Sequence, residues 1–243
     1  MLSVFAAVLT QGRPAPASIR SVLRVMTFNL QQGYNASGTR NFAGQLEQIR
    51  QIGPDLLGLQ ESDTARVAGG HSDVVRYLAD RLNFHSYYGP RTVTGTFGIA
   101  LLSRYPIAAA RTFYLPSTGE QTGAIVAQIS VGEKSYHVVV THLGNGGPII
   151  QQRDVLKLVA GKPNAILLGD FNLTPADEAY RLTVAGLEDA WLAARERNVG
   201  SERLDLDDRI DHVFVSPGTR VLRAEYRRAG ASDHPVLCAE IGN

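Results

Sequence analysis

Asp170 and Asn172 stand two positions apart at the end of a short apolar run, Ala165-Ile166-Leu167-Leu168-Gly169. In extended geometry that spacing puts both side chains on one face. A carboxylate and an amide at the exit of a buried strand form a hard-oxygen site suited to Mg²⁺ and phosphate. The plain alternative is an Asx turn after a core strand, and the motif alone leaves the two even. Other polar residues repeat the placement. Asn29 closes the run that starts at Leu23, Glu61 closes Asp55–Gln60, and His142 closes Tyr136–Thr141. A single such residue is ordinarily a solvated cap, but in α/β folds ligands gather where strands end. Asp211 lies inside the apolar run Arg209–Ser216, where a carboxylate needs a partner because burying it alone is costly. The candidate partner is Ser232-Asp233-His234-Pro235, immediately before the last apolar run.

Together, Asn29, Glu61, His142, Asp170, Asn172, Asp211, Asp233 and His234 are the parts for metal-assisted attack of water on a phosphate ester. In this reading Glu61 holds Mg²⁺ or Mn²⁺, with Asn29 and Asp233 as further candidate ligands, since that ion suits few carboxylates and several waters. His234 takes a proton from the attacking water as general base, and Asp211 fixes its tautomer and stabilises the imidazolium. Asp170 orients the water, and Asn29 and Asn172 donate hydrogen bonds to non-bridging oxygens. His142 either contacts the phosphate or protonates the leaving group. The chain has no Gly-x-Ser-x-Gly elbow, P-loop, Gly-x-Gly-x-x-Gly after a strand or His-Glu-x-x-His, which removes the other common chemistries.

These exits need elements to carry them. Apolar runs and turn residues predict strands over Leu23–Leu30, Asp55–Glu61, Thr96–Leu102, Ile107–Leu115, Ala124–Val131, Ser135–Thr141, the Asp170 run, Arg209–Ser216 and Pro235–Ile241. Helical spacing predicts helices over Arg40–Ile52, Ser72–Leu82 (capped by Ser72), Pro148–Ala160 and Glu178–Val184. The stretch around Trp191 reads as loop, and Arg195–Asp208 as charged surface. His137 and the single Cys238 read as structural.

The chain has 243 residues, 44% hydrophobic and 19% charged, which gives ample core for one α/β domain over residues 23–243. A net charge of +1 makes no bulk electrostatic case for nucleic acid or an anionic membrane. One cysteine excludes an internal disulfide. Residues 1–22 read as an apolar leader, Met1–Thr10, and a linker; the leader fits a signal remnant, a membrane remnant or a disordered segment. No stretch reaches the roughly 20 apolar residues that span a bilayer.

Thr27-Phe28-Asn29, Leu59-Gln60-Glu61, Ile99–Ile107, Thr141-His142-Leu143, Gly169-Asp170-Phe171-Asn172, Arg209-Ile210-Asp211 and Ser232-Asp233-His234-Pro235-Val236 occur in order. This set resembles the endonuclease/exonuclease/phosphatase superfamily of DNase I-like nucleases, neutral sphingomyelinases and inositol polyphosphate 5-phosphatases. The resemblance implies an α/β fold, a four-layer α/β/β/α sandwich of two mostly antiparallel sheets. It also sets Asp208 where DNase I-like members support the second histidine, so Asp208 becomes the candidate partner of His142, and Asp211 that of His234. A narrower likeness runs through Asn29–Tyr34, Glu61-Ser62-Asp63, Tyr88-Gly89-Pro90, Gly98-Ile99-Ala100 and Thr141–Asn145. It is to the C-terminal domain of eukaryotic membrane proteins that remodel GPI-anchor lipids. The expectation is therefore a monomeric phosphodiesterase for a lipid-linked or small phosphodiester, extracytoplasmic or membrane-associated through its N-terminus. Two alternatives stand beside it. One is a non-specific endonuclease using Arg91, Arg104, Arg111 and Arg153, and the other is a catalytically silent phosphate-binding module.

Overall fold

The computed structural model describes residues 14, 17–64, 70–89, 98–197, 208–228 and 230–243. The leader Met1–Thr10, Arg91, the start of the expected Thr96 strand and most of the charged stretch before Asp208 lie outside them. Two six-stranded sheets form the body. The first runs β11 (Val221–Arg227), β12 (Val236–Gly242), β1 (Val22–Asn29), β2 (Leu56–Gln60), β4 (Ala100–Ser103), β3 (His85–Tyr88). The second runs β5 (Ile107–Tyr114), β6 (Gly123–Val131), β7 (Lys134–His142), β8 (Ala165–Asp170), β10 (Asp211–Val215), β9 (Glu188–Asp189). Each sheet has a single parallel pairing, β1–β2 and β7–β8. Parallel neighbours require a crossover, and α1 (Phe42–Ile52) and α3 (Ile149–Val159) supply it. The sheets are thus mostly antiparallel, as expected.

Alternation along the strands builds the layers. Leu23 and Val25 on β1, Leu56 on β2, Val138 and Val140 on β7, Ile166 and Leu168 on β8 and Val213 and Val215 on β10 fill the space between the sheets. The intervening Met26, Phe28, Leu57 and Leu59 face outward and pack with Leu46 and Ile49 of α1 and with Val75 and Leu78 of α2 (Val74–Leu82). On the far side Val139, Leu167 and Phe214 pack with Val155 and Val159 of α3 and Ala179 of α4 (Glu178–Val184). A Cβ on Gly58 would come within 2.8 Å of the Leu168 side chain, so the facing sheet leaves no room for a side chain there. Among the described residues no helix is long and apolar enough to cross a membrane.

Five local readings are corrected. The Trp191 stretch is a helix, α5 (Ala190–Glu196), because Asp189 accepts the N–H groups of Trp191 and Leu192 and Trp191 and Ala194 enter the inter-sheet core. Strands β3, β9 and β11 appear where no strand was expected. β3 and β9 are too short to show a period, and β11 carries Arg223, Glu225 and Arg227 along its length. The cap of α2 is Asp73, whose carboxylate accepts from the Arg76 N–H, while Ser72 accepts from Arg40 instead. His137 and Cys238 are buried as read: the His137 ring contacts the Leu158 carbonyl and Gln128, and burial pushes the Cys238 thiol up to about 12.

One glycine sets the site strand. A Cβ on Gly169 would collide with the Thr141 carbonyl oxygen of the adjoining strand. Gly169→Ala is therefore expected to lower unfolding free energy by at least about 1–3 kcal/mol, the usual range for overpacking. Urea denaturation with an unchanged midpoint would refute this.

Candidate active site

Register places the second sheet's polar residues side by side. His142 pairs with Asp170 across β7–β8, and Asp170 pairs with Asp211 across β8–β10. Paired residues share a face, so three strands bring an imidazole and two carboxylates into one row. That row caps the inter-sheet core, following Val140, Leu168 and Val213 on their strands. Asn29 and Gln60 are paired at the matching end of β1 and β2.

Asn29 joins the two sheets. Its buried amide donates to Glu61 Oε1 at 3.2 Å and to Asp170 Oδ2 at 3.0 Å, and its Oδ1 accepts from the Gln31 N–H at 3.0 Å. Asp170 Oδ1 accepts the Asn172 N–H at 2.9 Å. The Asn172 amide donates to the Leu143 carbonyl at 2.8 Å and reaches His142 Nε2 at 3.4 Å. Glu61 and Asn172 both leave their strands with positive φ, 45° and 50°. Asn tolerates that conformation; for Glu61 it costs of order 1–3 kcal/mol, the kind of strain found at functional sites.

His234 Nδ1 lies 2.8 Å from Asp211 Oδ2 and 3.8 Å from Asp170 Oδ2. Ser232 holds the histidine's loop against β1, donating from Oγ to the Asn29 carbonyl at 2.8 Å and accepting the His234 N–H at 3.3 Å. Gln45 of α1 donates to the carbonyls of Leu30 and Ala231, at 2.8 and 3.1 Å, and so ties the two loops from below. Tyr226 of β11 donates its hydroxyl to the Asp211 carbonyl. None of Ser232, Gln45 and Tyr226 was singled out from the sequence for this part. Ser232 sits inside a quoted motif, whereas Gln45 and Tyr226 give no local signal.

Burial and the Asp170 charge raise the Asp211 carboxyl to about 6 against the pull of His234. Burial would lower His234, but its hydrogen bond to Asp211 and the charges of Asp211, Asp170 and Asp233 outweigh it and raise the imidazole to about 9. The folded chain thus holds the His234 proton more tightly than the unfolded chain. Without bound cation, the stability from this group is fully present below pH 6.5 and is lost as pH rises through about 9. Asp211→Asn removes the main raising interaction, so the His234 pKa is expected to fall from about 9, with only Asp170 and Asp233 left to oppose burial. Histidine NMR titration of the metal-free protein checks this, and a value still near 9 would rule out Asp211 as the cause.

Asp170, Asp211 and His234 offer ligand atoms within 4.8 Å of one another. Asp211 Oδ1 is buried with no hydrogen-bond partner among the described residues. A carboxylate-rich set with an orphaned buried oxygen fits a hard divalent cation. Glu61 lies outside this set and is linked to Asp170 by the Asn29 amide, which donates to both carboxylates. Asp233 is exposed and lies with Asp208 and Arg228 in a second depression, which Asp211 and His234 also line. His142 lines the cavity on the other side of His234, and Asp208 is not among that cavity's described lining residues.

Glu61, His142, Asp170, Asn172 and His234 open into a cavity of about 480 Å³ walled by the loop Ser117–Thr122 and by Gly144, Asn145 and Pro148. No Lys or Arg is among its described lining residues. Arg104 is bound to Asp55 at 2.8 Å, at the end of β2 opposite Glu61, which removes it as a phosphate contact in the cavity. Arg111 and Arg153 are exposed and line no part of this cavity.

Residues 26–234 match the family model described as the endonuclease/exonuclease/phosphatase family. The chain is 39% identical over 194 residues to protein cwh43 of Schizosaccharomyces pombe, an alignment covering 77% of this chain and 19% of that protein. The chain thus spans about a fifth of that relative's length. It is similar in structure to an endonuclease/exonuclease/phosphatase from Beutenbergia cavernae, with a TM-score of 0.72 at 22% identity, over 92% of this chain and 72% of that one. It is also similar to the human Nocturnin catalytic domain with bound sulfate anion, with a TM-score of 0.70 at 20% identity, over 93% and 96%.

Proposed function

The chain belongs to the endonuclease/exonuclease/phosphatase family, and from that premise we propose that it is a divalent-metal-dependent phosphodiesterase acting on a lipid-linked or small phosphodiester. The observation that carries the chemistry is the His234–Asp211 pair, 2.8 Å apart, facing Asp170 at the mouth of an otherwise apolar inter-sheet core. With Nδ1 engaged by Asp211, Nε2 is the nitrogen left to take a proton from water. Asp170 orients that water, and Asn172 and His142 bind the phosphoryl oxygens. Asn29 keeps Glu61 and Asp170 at fixed separation through its two hydrogen bonds. When bound by Glu61 and the adjoining carboxylates, Mg²⁺ or Mn²⁺ supplies a positive charge that polarises a phosphoryl oxygen and stabilises the leaving oxygen.

The lipid-linked reading rests on two supports. One is the narrower sequence likeness to GPI-anchor lipid-remodelling proteins, together with the identity to protein cwh43. The other is the cavity's described lining, which lacks the Lys and Arg side chains that duplex nucleic acid requires. The test is hydrolysis of bis-p-nitrophenyl phosphate and of its monoester, with Mg²⁺ or with EDTA, followed by phosphatidylinositol-type and DNA substrates. We expect diester cleavage that EDTA abolishes, and lipid cleavage in preference to DNA. Monoester cleavage alone would make the protein a phosphatase, and preferential DNA cleavage would restore the nuclease.

A further inference from the structure

Register extends the site row beyond His142. Gly123 pairs with His142 across β6–β7, and Tyr114 pairs with Gly123 across β5–β6. Tyr114 therefore shares the face of His142 two strands away, about 10 Å along the row. Three of the six large apolar side chains exposed among the described residues stand at this end: Phe113 at 38%, Tyr114 at 58% and Ile150 at 56%. They belong to the end of β5 and the first turn of α3. Gln151 of α3 clamps those elements together by donating to the Pro116 carbonyl at 2.7 Å. Ser117, three residues after Tyr114, and Pro148 and Gln151, which flank Ile150, wall the cavity, while Phe113 points to the opposite face of β5 from Tyr114.

The surface continues away from the cavity. Beyond Phe113, a shallow groove of about 480 Å³ lies between the outer face of β5 and β6 and the end of α3. Phe113, Val126 and Leu158 make its apolar part, and Arg111, Lys157 and Lys162 its cationic part. β5 and α3 together carry Arg111, Arg153 and Lys157 against one acid, Asp154. Aromatic and aliphatic side chains beside an excess of cations suit a lipid–water interface with anionic headgroups, where rings and aliphatics enter the interface and Lys and Arg stay at its surface. A second copy of the chain would bring like charges together on this face.

We propose that the face formed by β5 and the first turn of α3 docks the protein on an anionic membrane surface, with the cavity mouth beside the headgroups. The inference rests on the lipid-linked reading of the site, and its test separates the two. The whole chain would be sedimented with phosphatidylcholine vesicles with and without phosphatidylserine, in parallel with soluble diester hydrolysis. Wild type should bind the anionic vesicles. Phe113→Ser with Ile150→Ser should weaken binding by more than about tenfold, and Arg111→Glu with Lys157→Glu should do the same by a route that spares the apolar residues. Both variants should turn over the soluble diester as wild type does. Vesicle binding that is absent in wild type, or as strong in both variants as in wild type, overturns the docking face even if hydrolysis is intact. So does concentration-dependent dimerisation that the variants abolish. Binding through this face by a protein that cleaves no phosphodiester would uphold docking and refute the proposed function.

Discussion

Replacing His234 by alanine is expected to lower diester hydrolysis by about a thousandfold, within the range that a positioned general base contributes. His234 is half-buried, and its Nδ1 is held 2.8 Å from Asp211 Oδ2, so one ring orientation is enforced before substrate arrives. The loss should fall on kcat with little change in KM, because proton abstraction is made only in the transition state. Added imidazole should recover part of the rate. A loss smaller than tenfold, or one confined to KM, would remove His234 from the proton-transfer role. Asp211→Asn should lose a comparable factor, since the ring remains but its tautomer is no longer imposed.

Asp170→Asn is the second large effect. The substitution keeps the shape and removes the charge, in a position where Asp170 accepts from Asn29 at 3.0 Å and from the Asn172 N–H at 2.9 Å, with His142 Nε2 3.5 Å away. An amide in that place must turn a donor toward one of these donors. We expect kcat to fall by about a hundredfold or more, and the Mg²⁺ concentration for half-maximal rate to rise at least about tenfold. The Asp170 charge helps to raise both Asp211 and His234, so both should titrate lower in the variant. Magnesium titration of activity, with NMR titration of His234, reads both effects. Wild-type Mg²⁺ dependence in a folded Asp170→Asn protein would exclude Asp170 from the cation's neighbourhood.

The strand exits were legible because they depend on local chemistry. Buried runs such as Ala165–Leu168 show in composition, and Gly169 marks their end through a contact only a hydrogen can make. Asp211 needed a partner on burial grounds alone, and the geometry sets His234 against it. The elements missed were those with little local signal. β3 and β9 have four and two residues, below the length at which a period appears. α5 forms because Trp191 and Ala194 have a core to enter, which periodicity over seven residues does not reveal.

The chain alone determined the residue types, their order and their placement at strand ends, since those follow from hydrophobic period and turn residues. Only the tertiary structure decided which of them meet. Asp208 and Asp233 are indistinguishable in type from Asp211, yet it is Asp211 that pairs with Asp170 across β8–β10 and meets His234 at 2.8 Å, because contact depends on strand register and on how the two sheets face each other. The same register brings Tyr114 into the row of His142 and Asp170. Register and sheet packing are set by contacts between residues far apart in the chain, and no local pattern records them.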